Sequence, residues 1–232
     1  MDSSNSCALQ RWLGPLSRAH FEQTVFRRVA WARPQAAIEE AQSFSWRELG
    51  QLLAHRPEPD VLVVARSELL RVPEPRSLTS LEALMARGIG ICVRHAERHH
   101  GAVAAAASRL AACFERSVHV QVFVTPAQTH GFGWHYDAED VFIIQTSGVK
   151  DYYFRANTVC QPSPTRDPDF SAVRRERSPL QTARLLPGDC LYLPAGFWHM
   201  ARSVEASLSL SLGVYAGQRA AIACTSCTGA AT

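Results

Sequence analysis

No run of this chain stays apolar for the roughly 18 residues that a membrane-spanning helix needs, so no spanning segment is expected. The opening residues, MDSSNSCALQRW, lack the basic-then-apolar layout of a secretory signal. Charge of one sign is also missing: the formal net is +3 and the signs are interspersed, which offers no stripe for a phosphate backbone. Neither nucleic acid nor membrane is therefore expected as a partner. A disulfide framework is absent too, because seven cysteines at scattered positions, an odd count, fit a reducing cytoplasm better. Cys224 and Cys227 are the one close pair. With no second pair, no nearby His and no βαβ context, they are expected in a frayed tail rather than in a zinc or thioredoxin-type site.

What is present suits one sizeable core, since 232 residues with 47% hydrophobic and 19% charged content describe an ordinary single-domain globule. Ser17 precedes a stretch in which Phe21, Val25 and Phe26 fall at helical spacing. Ser45 and Glu48 form a capping box ahead of Leu49, Leu52 and Leu53. Thr79 to Glu82 suggests a second box, opening a helix that Gly88 can end, and residues 101–115 have the highest helix propensity in the chain. Residues 60–65 and 89–93 are expected strands, and from residue 118 onward strands and turns take over. Residues 207–212 alternate Ser and Leu, the pattern of a half-buried antiparallel strand. The expected class is α+β, with a polar tail over 1–16, an α/β part over 17–117, a β core over 118–216 and a flexible tail over 217–232.

Chemistry concentrates in residues 125–154, TPAQTHGFGWHYDAEDVFIIQTSGVKDYYF. In an extended strand, residues two apart point to one face, so His135 and Asp137 project together. A third ligand is offered by His199, after the turn Pro194-Ala195-Gly196. Two imidazoles and one carboxylate with the remaining positions open is the set used by non-haem Fe(II) oxygenases, although ligand type alone permits other divalent metals. His95, His99 and His100 are expected to be structural, and His130 lies in the approach loop.

Gly188, Pro194, Gly196 and His199 together resemble the second motif of the cupin superfamily, with Ser203 where that pattern has Asn. The first motif differs from ordinary metal cupins, because Asp137 stands in place of the second His. With the run DVFIIQTSGVKDYYF downstream, the chain is similar to the JmjC branch of the cupins, and within it to bacterial ribosomal-oxygenase-type hydroxylases. The resemblance covers roughly residues 123–212 and implies a double-stranded β-helix, or jelly roll. It also implies Fe(II), 2-oxoglutarate as cosubstrate and O2, with His135, Asp137 and His199 as metal ligands and catalytic centre. Related halogenases lack the carboxylate, so hydroxylation is the expected outcome.

Residues 141–154 are expected to form a β-hairpin turning at Gly148, with Lys150, Tyr152 and Phe154 on one face of the return strand. A lysine on such an apolar face needs an anionic partner. In the family a basic residue here clamps the distal carboxylate of 2-oxoglutarate, which makes Lys150 the candidate, with Tyr152 beside it. Relatives often carry Tyr where this chain has Phe123, and Thr125 is the hydroxyl that could serve instead. Phe132, Trp134, Tyr136 and Trp198 are expected to flank the mouth, and the long connection over residues 155–183 to overhang it. The substrate implied is a protein or peptide side chain, with a small metabolite or free amino acid as the alternative and a non-catalytic cupin-like binder as a third reading. Kinship also allows lysine demethylation, though no methyl-lysine cage is visible. Monomer and homodimer are both compatible with the sequence.

Overall fold

The computed structural model describes residues 8–160, 162 and 168–219. The first half alternates short elements: α1 (Ala8–Leu13), α2 (Arg18–Thr24), β1 (Trp31–Arg33), α3 (Ile38–Ser43), α4 (Trp46–Ala54), β2 (Asp60–Ala65), β3 (Glu68–Leu69), α5 (Leu78–Met85), β4 (Gly90–Arg94) and α6 (Gly101–Phe114). The second half is strands: β5 (Arg116–Thr125), β6 (Asp140–Ser147), β7 (Lys150–Arg155), β8 (Gln181–Leu185), β9 (Cys190–Leu193), β10 (Trp198–Ser203) and β11 (Ser207–Arg219). They form an antiparallel sheet of eight strands, ordered β1-β9-β6-β11-β5-β4-β2-β3, and a smaller one of three, ordered β10-β7-β8. This is the expected α+β jelly roll, with β2 and β4 of the N-terminal part lengthening the large sheet.

The helices cover one face of that sheet because their caps and spacing aim apolar side chains at it. Ser45 Oγ accepts from Arg47 N while Glu48 returns a carboxylate to Ser45 N at 3.1 Å, and α4 then buries Leu49, Leu52 and Leu53. Ser17 caps α2, and α6 turns Val103 and Leu110 inward. These side chains join Val122, Phe142, Tyr192 and Leu210 in one core. A second core of Val141, Ile143, Tyr152, Phe154, Leu191 and Leu193 fills part of the space between the two sheets.

Six expectations are corrected. Residues 8–16 are not a polar tail: α1 buries Leu9 and Trp12, and Trp12 Nε1 donates to the buried Glu40 at 3.1 Å. Six residues are too few to show periodicity. The box expected at Thr79 sits two residues earlier, on Ser77 and Ser80. β6 and β7 are not a hairpin; β6 pairs with β11 and β9, whereas β7 pairs with β10 and β8. The chain changes sheet at Gly148, whose φ of +69° and contact with the Ala206 carbonyl leave no room for a Cβ. β11 is buried on both faces: leucines 208, 210 and 212 enter the helical core, while Ser207 and Ser209 are as buried on the opposite, inter-sheet face. That strand also continues to Arg219, past the expected boundary at 216; the Cys224/Cys227 pair lies outside the described residues. The reduced state expected of the thiols holds for Cys92, Cys160 and Cys190, whereas Cys113 is disulfide-bonded.

Candidate metal centre

His135 and His199 come together through backbone pairing rather than by chance proximity of loops. His135 N donates to His199 O at 3.0 Å and His199 N to His135 O at 2.8 Å, an isolated antiparallel bridge beside β10. The two imidazole centroids are consequently 4.2 Å apart. Asp137 is tied to the same turn by Gly196 N, which donates to its carbonyl at 2.7 Å, and Asp137 Oδ2 lies 3.6 Å from His199 Nε2. One ligand atom from each of the three falls within 4.8 Å of the others. Among the described residues, His95, His99 and His100 join no such group: His99 faces His55 and His100 lies edge-on to Phe44.

The donor set fits a divalent metal in more than count. His135 Nδ1 is 2.7 Å from the Gly133 carbonyl and His199 Nδ1 is 3.1 Å from the Phe197 carbonyl. A carbonyl only accepts, so each Nδ1 carries the hydrogen and each Nε2 keeps its lone pair, the tautomer of a ligand. Burial, followed by the neighbouring His135, presses His199 down to about 4, so it is neutral at physiological pH.

These side chains line one end of a cavity of about 290 Å3 between the sheets, on the side that the second apolar core leaves unfilled. Lys150, Thr125 and Tyr152 line the same cavity. Lys150 is the one lysine of the chain and is 4% exposed, with its Nζ 5.8 Å from the ring centroids of both Phe123 and Tyr152. No carboxylate among the described residues pairs with it, and burial lowers it to about 8. Cys92, also on the cavity wall, is pushed up to about 12 by burial and is inert as a thiol.

Of the four expected mouth aromatics, Phe132 lines the cavity, but Tyr136 and Trp198 are buried with Ala172 and Trp134 packs against them. They support the site instead of gripping a substrate. His130 is not part of the lining. Residues that sequence reasoning passed over are Gln121, Arg94 and Ser211 on the cavity wall. Period-two spacing back from Thr125 through Phe123 would have reached Gln121. Phe170, from the long connection, reaches His135 with ring centroids 6.3 Å apart.

A family model described as "JmjC domain" matches residues 99–222. Over 100 residues the chain is 38% identical to "Ribosomal oxygenase 1" of Rattus norvegicus, which covers 40% of this chain and 16% of that protein. It is 32% identical over 108 residues to "Bifunctional lysine-specific demethylase and histidyl-hydroxylase NO66" of Dictyostelium discoideum, covering 46% of this chain and 21% of that one. Among solved structures, the ribosomal oxygenase YcfD of Escherichia coli in complex with cobalt and 2-oxoglutarate superposes with a TM-score of 0.64 at 21% identity, over 88% of this chain and 52% of that chain. The chain thus spans about a fifth of the curated relatives' length and about half of the solved neighbour's.

Proposed function

Because the chain belongs to the JmjC domain family, we propose that it is an Fe(II)- and 2-oxoglutarate-dependent dioxygenase that hydroxylates a side chain of a protein or peptide. His135, Asp137 and His199 are the proposed metal ligands, and Lys150, Thr125 and Tyr152 the proposed cosubstrate contacts. One observation carries the reading: candidate ligand atoms of His135, Asp137 and His199 converge within 4.8 Å in a cavity whose wall holds a lysine with no carboxylate partner among the described residues. Relatives named as ribosomal oxygenases and a histidyl-hydroxylase support a polypeptide substrate. The proposed catalytic unit runs from α1 through β11. A cytoplasmic setting belongs to the proposal, since Fe(II) persists in a reducing compartment; among the described residues no helix is long and apolar enough to cross a membrane.

Bound Fe(II) supplies the centre at which O2 and 2-oxoglutarate are converted to succinate, carbon dioxide and an oxidised substrate carbon. The chain's own residues do the positioning. The Gly133 and Phe197 carbonyls hold both imidazoles with Nδ1 as the donor, so each Nε2 is the nitrogen turned to the metal position. Asp137 brings the single negative charge of the set. Lys150, which has no carboxylate partner among the described residues, meets the distal carboxylate of 2-oxoglutarate and fixes that cosubstrate's direction across the cavity. Phe123 and Tyr152 wall Lys150 off from water, which strengthens the pairing through the low local dielectric. With Phe in place of Tyr at 123, that anchoring rests on Lys150 and on the Thr125 hydroxyl.

The test is substrate-dependent succinate release. His135→Ala and Asp137→Ala should each abolish it, and turnover that survives either change refutes the ligand assignment.

A further inference from the structure

Asp140, the first residue of β6, is fully buried and ties together the two segments that carry the proposed ligands. Its Oδ1 accepts from the Tyr192 hydroxyl at 2.6 Å and from Ala195 N at 3.4 Å, and its Oδ2 accepts from Arg27 Nε at 3.1 Å. The Tyr192 oxygen in turn accepts from Arg27 N at 2.8 Å. Burial and the Asp140 charge push the Tyr192 phenol up, so it keeps its proton and donates. Burying a carboxylate is costly even when it is paired, and an apolar side chain of similar volume at such a site is often neutral or stabilising. Fold stability alone does not ask for an acid there.

What the acid joins supplies the reason. Asp140 follows Asp137 by three residues, whereas Ala195 stands inside the Pro194-Ala195-Gly196 turn that leads to His199, and Tyr192 lies two residues ahead of that turn on β9. The contact with Ala195 is long, so the firm grip is the one on Tyr192. His135 and His199 are already fixed on each other by two backbone hydrogen bonds. Asp137 is held differently: Gly196 N donates to its carbonyl at 2.7 Å, and its side chain is 36% exposed. The 3.6 Å between Asp137 Oδ2 and His199 Nε2 therefore depends on where the turn sits against the start of β6, and a tie between those two places runs through Asp140.

We propose that Asp140 is a positioning residue that, through Tyr192 and the turn before His199, holds the Asp137 carboxylate at the two imidazoles. This rests on the reading of His135, Asp137 and His199 as metal ligands. The experiment titrates the full chain with Co(II) alone and follows its visible bands in the wild type, Asp140→Asn, Tyr192→Phe, Asp137→Ala and Leu53→Ala. Asp140→Asn keeps the shape but leaves one of the three donors facing an NH2 group. It should weaken Co(II) binding about 10- to 100-fold and shift the bands toward those of Asp137→Ala. Tyr192→Phe should act in the same direction but less. Combined with Asp140→Asn it should add nothing, because both changes act through one network. Leu53→Ala opens a cavity in the main core, so it should lower the urea midpoint while Co(II) affinity and bands stay as in the wild type. That control separates the placement of Asp137 from loss of stability. A folded Asp140→Asn with wild-type affinity and bands overturns the proposal, and so does a loss of affinity in Leu53→Ala as large as that in Asp140→Asn. Should Asp140→Asn fail to fold, Tyr192→Phe decides, and an unchanged Co(II) affinity there overturns the proposal as well. A wild type that binds no Co(II) would instead remove the metal reading beneath it.

Discussion

Replacing Lys150 with Met should make the ligand-free protein more stable and its hold on 2-oxoglutarate far weaker. The side chain is 4% exposed and its ammonium has no counter-charge among the described residues, so the folded state keeps it charged at a cost. At about 1.4 kcal/mol per tenfold change in proton affinity, the fall from 10.5 to about 8 sets that cost near 3 kcal/mol at neutral pH. Met fills a similar volume, and repacking it costs on the order of 1 kcal/mol. The net gain, about 2 kcal/mol, should raise Tm by roughly 4–8 °C in a chain of this size. The sign with pH follows from proton counting. Between about 8 and 10.5 the unfolded chain still carries the proton that the folded chain has released, so wild-type stability rises with pH across that window. Lys150→Met should lose this rise. Removing one partner of a buried charge pair costs about 3–5 kcal/mol, so 2-oxoglutarate affinity should fall by at least two orders of magnitude. Thermal melts from pH 7 to 10.5, with calorimetric titration of 2-oxoglutarate, check both halves. A ligand-free variant less stable than wild type, or an unaltered affinity, would refute the reasoning.

Three further outcomes are expected. Gly148→Ala puts a Cβ against the Ala206 carbonyl at a positive φ, so it should destabilise by about 2 kcal/mol or more, read as a lower urea midpoint with unchanged slope. The buried Glu176 carboxylate accepts from Thr158 N, Arg177 N and Ser178 N, so Glu176→Gln leaves some of these donors without a carboxylate oxygen and should loosen the connection after β7, seen as faster proteolysis within residues 156–178; that contribution, present above the ordinary carboxyl range, should fade in wild type as pH falls from about 4.5 toward 2. Trp12→Ala should cost about 3–5 kcal/mol, because it opens a cavity in the main core and strips a donor from Glu40; a cost under 1 kcal/mol would mean that α1 is dispensable.

The grouping of His135, Asp137 and His199 and the class of fold were legible because their signals are local. His135 and Asp137 share a face through a spacing of two, the turn residues before His199 announce a tight reversal, and the Ser45 and Glu48 cap is written in four consecutive letters. What was misread depends on long-range partners. A strand, a glycine turn and a second strand look like a hairpin, but whether β6 and β7 pair depends on β11 and β10, far along the chain. Alternating Ser and Leu in β11 reads as a wet face and a dry face, whereas the serines line the space between sheets, a polar interior that periodicity cannot distinguish from solvent. Tyr136 and Trp198 were expected at the mouth because they adjoin the ligands in sequence. The ring that does lie beside His135 is Phe170, from the connection after β7, whose place depends on contacts that no short motif encodes.

The most direct measurement is an anaerobic titration of the purified protein with Fe(II) and 2-oxoglutarate, followed in the visible range. A charge-transfer band that saturates at one iron per chain, and is absent from His135→Ala, Asp137→Ala and His199→Ala, is the result this account predicts. No band in the wild type, or a band that persists in all three variants, would contradict it.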